Sequence, residues 1–386
     1  MFPFELYNPT KLVFGQNKIE TISKYIHPND KVLLLYGKGS ILKNGIYHKI
    51  KEALKDYSIV EFSGIEANPK YETLIKAVEL GKKESIDFIL AVGGGSVIDG
   101  TKFIAAAMHY NDPDLWNMVK NGGLDIEEAT PFGTILTLPA TSSEMNNGAV
   151  ITHSEKQEKL IFKSDACFPQ FSILDPLVVE SLPKRQIANG VVDAFVHVLE
   201  QYITDSTESA PIQDGFSETI LRTLIKEGTK VFKDSKNTEA AENFMFASTM
   251  ALNGLIRSGV AQDWATHLIG HELTVLFEID HARTLAIVLP GVWQVMFDEK
   301  KKKLAQYGRN VWGITGDDDA DIAEKAIEKT EEFFQSFDIL TRITEYSEKC
   351  YLVWEIPPRF QKRNWMLGEN KNIDYIKVEE ILKTRL

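Results

Sequence analysis

The sequence predicts an α/β amino-terminal domain, residues 1–180, followed by an all-α carboxy-terminal domain, residues 181–386. Two observations carry this reading. Through the first 180 or so residues, short apolar, strand-like runs alternate with helix-like segments, the pattern of a parallel sheet with helices on both faces. After "FSILDPLVVESLP", where Pro176 and Pro183 interrupt the chain, strand signals nearly vanish and helical periodicity takes over. The expected strands, in order, are "KVLLLYG", "YSIVEFSG", "IDFILAVGGG" and "GTILTLPAT". The expected helices beyond the break span 187–203, 210–231, 238–256 and 318–337. Neither an internal repeat nor a low-complexity linker separates the halves, so a shared cleft is expected.

Composition bounds the function. A chain of 386 residues exceeds what one hydrophobic core usually supports, and 44% hydrophobic content is ordinary for a globular protein. With 43 basic and 55 acidic residues the formal charge is −12, which opposes broad contact with nucleic acid or an anionic membrane. Small-molecule chemistry is the better expectation. Cys167 and Cys350 are far apart, which argues against a disulfide framework and for a reducing compartment. The start, "MFPFELYNPTKLVFG", lacks a basic region followed by an apolar one, and no run of 18 apolar residues occurs. A soluble cytoplasmic protein is expected.

Three loops are candidates for holding a phosphate. "IDFILAVGGGSVIDGTKFIAAA" reads as strand, Gly93-Gly94-Gly95-Ser96 turn, then helix. Glycines let a ligand approach the backbone, and the helix start offers free N–H groups to a pyrophosphate. By itself the motif also fits a plain tight turn. A second polar loop, "TLPATSSEMNN", follows another strand, so both loops would meet at the carboxyl edge of one sheet, where open α/β sheets bind ligands. The third, "GKGS", ends the strand "VLLLY" with Gly37, Lys38 and Ser40, and Lys43 follows. An acid at such a strand end binds the ribose 2′-hydroxyl in NAD enzymes. None stands here, and Lys38, Ser40 and Lys43 suit a 2′-phosphate, so NADP(H) is expected over NAD(H).

Metal-ligand chemistry is concentrated in the helical half. In "QDWATHLIGHELTVLFEIDH", His267 and His271 are four apart and share one helix face. His281 follows the turn-like "EID" and could fold back onto that face. In "NGVVDAFVHVLEQY", Asp193 and His197 have the same spacing. Imidazole and carboxylate are ligands that zinc and ferrous iron accept, and four can surround one ion. Asp193, His197, His267 and His281 are the candidates. Each pair alone also fits ordinary core or surface residues. "HLIGHEL" followed by Thr274 and Val275 lacks the second histidine of a zinc-protease helix.

With the glycine loop, "TLPATSSE" and the Asp-x3-His, His-x3-His, His set in this order, the chain resembles the iron-containing alcohol dehydrogenases. Within them it is most similar to the NADPH-dependent aldehyde reductases and butanol dehydrogenases, from about residue 5 to "LGENKNIDYIKVEEIL". The resemblance implies a Rossmann-like amino-terminal domain, an all-helical carboxy-terminal domain in a dehydroquinate synthase-like fold, and one divalent metal, Fe2+ or Zn2+. It assigns Asp193, His197, His267 and His281 as ligands and puts His271 beside nicotinamide and substrate. Gly94, Gly95, Ser96 and Asp99 would hold pyrophosphate and nicotinamide ribose, with Thr137, Thr141, Ser143 and Lys159 lining the rest. The expected reaction is hydride transfer between NADP(H) and a primary alcohol/aldehyde pair, with His271 relaying a proton or positioning the nicotinamide. Two other readings stay open: a non-redox lyase of the dehydroquinate synthase type, and a non-catalytic nucleotide sensor. A homodimer is the oligomer carried as an expectation. Three positions depart from the family pattern. Lys38 and Ser142 stand where glycine is usual, and Arg257 where the family has a small residue. Residues 338–365 match least and are assigned no function.

Overall fold

The computed structural model describes residues 1–204 and 209–386. It divides into two compact units, one formed by Tyr7–Pro183 with Ser235–Thr249, the other by Met1–Leu6, Lys184–Asp234 and Met250–Leu386. The sequence reading draws a single cut after residue 180, whereas the contacts carry residues 1–6 and 235–249 to the opposite side of such a cut.

The first unit is built on a six-stranded sheet with order β1-β8-β5-β4-β2-β3. These are β1 (Lys11–Phe14), β2 (Lys31–Tyr36), β3 (Ser58–Phe62), β4 (Phe88–Gly94), β5 (Phe132–Leu138) and β8 (Phe171–Leu174). Every pairing in it is parallel. Strands covered on both faces read as unbroken apolar runs, and "VLLL" in β2 and "FILAV" in β4 are buried throughout. A two-stranded antiparallel hairpin, β6 (Gly148–His153) with β7 (Glu158–Lys163), follows the second polar loop. The sequence reading does not anticipate it, because its short alternation lies inside a polar stretch.

The helix Thr238–Met250 belongs to this unit for a local reason. The Ser142 hydroxyl lies 2.7 and 2.8 Å from the carbonyl oxygens of Ser248 and Thr249, and the Thr249 hydroxyl donates to Glu144 at 2.6 Å. Last-turn carbonyls have no partner within their own helix, so the polar loop satisfies them.

The second unit is helical. It contains Lys184–Tyr202, Pro211–Thr223, which runs on through Leu224–Gly228 and Thr229–Lys233, then Ala265–Phe277, His281–Val295, Phe297–Asn310, Asp319–Gln335, Ile356–Arg363 and Tyr375–Lys383. Ile269, Leu273, Val288, Val292, Ile356, Phe360, Val378 and Ile381 share one buried apolar cluster. The poorly matching stretch 338–365 thus supplies core residues. Arg359 donates to the buried Glu272 carboxylate at 2.9 Å, and Arg363 donates to its other oxygen. Among the described residues, no helix is long and apolar enough to cross a membrane.

Candidate functional site

In the helical unit, apolar residues such as Ile187, Val191, Phe195 and Val198 are fully buried along Lys184–Tyr202, so its polar residues are carried into the interior with them. Asp193, His197 and Glu200 stand at i, i+4 and i+7, a single helix face. Ala265–Phe277 contributes His267 and His271 in the same way. It ends at Glu278, whose φ of 54° turns the chain, and the next helix begins at His281. His281 does fold back: its ring lies 5.2 Å from that of His267 and 5.1 Å from that of His271.

Asp193, His197 and His267 are buried, and each presents one ligand-type atom within 4.8 Å of the others. Nε2 of His197 and Nε2 of His267 are 3.0 Å apart. His281 is outside that three-residue group, with its Nε2 3.9 Å from the Asp193 carboxylate. The His271 ring stands 6.4 Å from the His267 ring, beyond the others. Nδ1 of His197 donates to the Asp193 carbonyl at 2.8 Å, so its Nε2 carries the lone pair. Burial holds this imidazole down, to about 4, and it is therefore neutral near pH 7. His267 presses Nδ1 against the Glu200 carboxylate, and its backbone N–H donates to the same group at 3.2 Å. Burial and then the neighbouring Asp263 push Glu200 well above the ordinary carboxylate range.

This donor set fits a borderline divalent cation. Ligand atoms about 2.1 Å from one tetrahedral ion stand roughly 3.4 Å apart, and two imidazole nitrogens and a carboxylate oxygen are already gathered on that scale. A carboxylate behind a ligating imidazole is the usual means of fixing ring orientation. Glu200 stands in that position behind His267. The sequence reading missed it, although its place seven residues after Asp193 was a usable signal.

In the sheet-bearing unit, β4 passes directly into the helix Gly95–Ala107. A Cβ on Gly93 would meet Val97 at 2.4 Å, on Gly94 would meet Leu138 at 2.9 Å, and on Gly95 would meet the Thr141 hydroxyl at 2.4 Å. The glycines thus let the turn and the "TLPATSSE" loop lie in contact. Ser96 accepts from the Asn68 backbone N–H at 3.2 Å, and Asn68 accepts from Lys159 at 3.0 Å. Asp99 accepts from the Ser143 hydroxyl at 2.6 Å and from the Val150 N–H at 2.9 Å. The Thr141 hydroxyl accepts from the Ser143 N–H at 3.2 Å, and Thr137 lies near the end of β5. Gly37, Lys38 and Ser40 follow β2, the strand beside β4, with Lys38 and Ser40 exposed. All the candidate cofactor residues therefore stand at or beside the carboxyl edge of the sheet, apart from Lys159 on β7. Asn68 and Lys102, which tie this region together, were not anticipated. A lone lysine in the apolar "SVIDGTKFIAAA" was the available signal for Lys102.

Two family models divide the chain between them. Residues 9–176 match "Iron-containing alcohol dehydrogenase" and residues 187–354 match "Fe-containing alcohol dehydrogenase family, C-terminal". The chain is 46% identical over 372 residues to the NADPH-dependent aldehyde reductase YqhD of Escherichia coli, covering 96% of each chain. It is 41% identical over 350 residues to NADH-dependent butanol dehydrogenase A of Clostridium acetobutylicum, covering 89% of each. A crystal structure of the Escherichia coli YqhD protein superposes with a TM-score of 0.98 at 44% identity, over 100% of this chain and 99% of that one. NADH-dependent butanol dehydrogenase A from Thermotoga maritima gives 0.92 at 34% identity, over 100% and 99%. The two-part match, carried over nearly the whole length and onto solved structures, makes the chain an oxidoreductase, not a lyase: it belongs to the iron-containing alcohol dehydrogenase family.

Proposed function

We propose that this chain is an NADPH-dependent reductase of small aldehydes that also runs the reverse oxidation of primary alcohols. The observation that carries the reading is the buried group of Asp193, His197 and His267 with His281 beside it, in a chain of this family. Asp193, His197, His267 and His281 would hold one Fe2+ or Zn2+. When bound, the divalent ion supplies Lewis acidity toward a carbonyl or hydroxyl oxygen, and the nicotinamide supplies or accepts the hydride. One carboxylate and three neutral imidazoles leave such a site with net positive charge, the sign that suits an alkoxide. His271, one helical turn from His267, stands next to this group without being needed in it, which suits a residue that moves a proton or orients the ring of the cofactor.

Gly94, Gly95, Ser96, Asp99, Thr137, Thr141, Ser143 and Lys159 are proposed to bind the dinucleotide, with Gly37, Lys38 and Ser40 at the adenosine ribose. Preference for NADPH is supported by the exposed Lys38 and Ser40 with no acid in "GKGS", and by the NADPH dependence of the Escherichia coli relative. Residence in the cytoplasm is part of the same proposal, supported by the two free cysteines, with burial pushing the Cys167 thiol up to about 12.

The test is to reconstitute purified protein separately with Fe2+ and Zn2+ and follow NADPH absorbance with butanal and related aldehydes. Aldehyde-dependent oxidation of NADPH, faster than that of NADH, is expected. No metal-dependent oxidation of either cofactor across the aldehydes would overturn the reading.

A further inference from the structure

Lys102 is fully buried, in the middle of the apolar helix that follows the glycine turn. A buried ammonium must be both paired and hydrogen-bonded, and an apolar side chain of the same length would avoid that desolvation. All three of its protons are engaged by one stretch of chain. It donates to the Ser143 hydroxyl at 2.9 Å, to the Asn146 side-chain oxygen at 2.9 Å and to the Gly148 carbonyl at 2.7 Å. The first of these has a directional consequence. Because Ser143 accepts from Lys102, its own proton is turned to Asp99, at 2.6 Å. Asp99 is held from its other side by the Val150 N–H, two residues beyond Gly148.

We propose that Lys102 is a positioning residue for the dinucleotide, fastening the 141–148 segment to the Gly95–Ala107 helix and so setting the orientation of Asp99, Thr141 and Ser143. It acts through those residues and does not touch the cofactor. The inference rests on the reading of Asp99, Thr141 and Ser143 as cofactor-binding.

The charged and titratable groups facing Lys102 are Asp99 on its own helix, Glu144 on the polar loop and Cys167 on the turn Asp165–Cys167, whose thiol lies 3.9 Å from the Lys102 carbonyl. Lys159 acts on the same Asp99. Burial outweighs Asp99 and lowers the ammonium to about 8, so as the pH rises past that value two N–H groups remain for three acceptors. Cys167, pushed up to about 12, keeps its proton over this range.

The test measures NADPH dissociation constants by fluorescence titration, KM and kcat, metal content and thermal midpoint for wild type, Lys102→Met and Lys102→Arg. Lys102→Met is expected to raise the NADPH dissociation constant and KM by about tenfold or more, as for loss of hydrogen bonds to a charged group, with kcat less affected and metal content unchanged. Lys102→Arg should recover part of the affinity. Wild-type affinity should fall above about pH 8, and this fall should be missing from Lys102→Met. An NADPH dissociation constant within about twofold of wild type in Lys102→Met, with only the thermal midpoint lowered, would show a purely structural lysine and overturn the assignment. If neither variant folds, Asn146→Ala, which removes one of the three acceptors of Lys102, takes their place, and an NADPH dissociation constant within about twofold of wild type in it overturns the assignment as well. Wild type that binds neither NADPH nor NADH would overturn the cofactor reading together with this inference, whereas unaltered binding in the variant overturns this inference only.

Discussion

The two buried polar clusters of this chain handle charge in opposite ways. Around Lys102 the protein supplies every partner: three acceptors for three protons, a counter-charge on Asp99, and a second donor for Asp99. Around His197 and His267 the protein instead turns two imidazole nitrogens toward each other at 3.0 Å and brings a carboxylate to the same point. The first arrangement is complete in itself and fixes a loop. The second gathers several lone pairs at one position, the geometry of a site for a cation.

The strongest way to break the comparison is to remove a converging atom. His267→Ala is expected to cut metal affinity by more than the roughly 10–100-fold typical of an outer partner, and nearly all turnover with it. NADPH binding should persist, because the residues proposed for it lie in the other unit. Metal analysis and fluorescence titration of the purified variant check both halves. Retained metal and activity would dismiss the four-ligand assignment.

His271→Gln comes next. A proton-moving residue contributes about 10²–10⁴-fold, so kcat should drop on that scale and the shape of the pH–rate profile should change while metal content stays at the wild-type level. Metal-depleted protein that regains full rate on adding excess iron or zinc would instead place His271 among the ligands. Glu200→Gln sharpens the role of outer partners. Losing the carboxylate behind His267 should weaken metal binding by about 10–100-fold, read by competition with a chelator, with the thermal midpoint of the metal-free protein less affected. Equal chelator sensitivity in variant and wild type would remove Glu200 from the site.

A smaller effect is expected at the exposed end of the cofactor region. Lys38→Ala and Ser40→Ala should each lower the NADPH-to-NADH ratio of kcat/KM several-fold, on the order of 1 kcal/mol, because solvent screens a contact between exposed groups. Ratios unchanged by both substitutions would move the 2′-phosphate elsewhere.

Much of the helical site was legible because its signal is local. Asp193 with His197, and His267 with His271, show their spacing within one helix each, and "EID" marks the reversal that returns His281. Four of the six sheet strands and the glycine turn were legible for the same reason, whereas β1 and β8, four residues each, were not read as strands. What escaped was set by distant partners. Nothing near residue 102 announces that Gly148 will meet it, and nothing near 238–250 shows that this helix caps onto Ser142. The 148–163 hairpin depends on pairing that its own short alternation barely marks. Glu200 lies between these cases. Its spacing from Asp193 was visible, but its meaning appears only when His267 arrives from 67 positions away.

Ser142 gives the finest test, because its two effects oppose each other at one residue. Its φ of 52° lies in the left-handed region where a side chain costs about 1 kcal/mol or more. Its hydroxyl reaches the last-turn carbonyls of Ser248 and Thr249, and a buried carbonyl left without a partner costs about 1–3 kcal/mol. Ser142→Gly relieves the first and incurs the second, so a net destabilisation of no more than about 1–2 kcal/mol is expected. Ser142→Ala loses the hydroxyl and keeps the backbone cost. It should therefore be less stable than Ser142→Gly by on the order of 1 kcal/mol, measured by denaturant unfolding of the metal-free proteins. Equal stability of the two variants would mean that the backbone there is unstrained, and a Ser142→Gly more stable than wild type would mean that the hydroxyl contributes less than the left-handed turn costs.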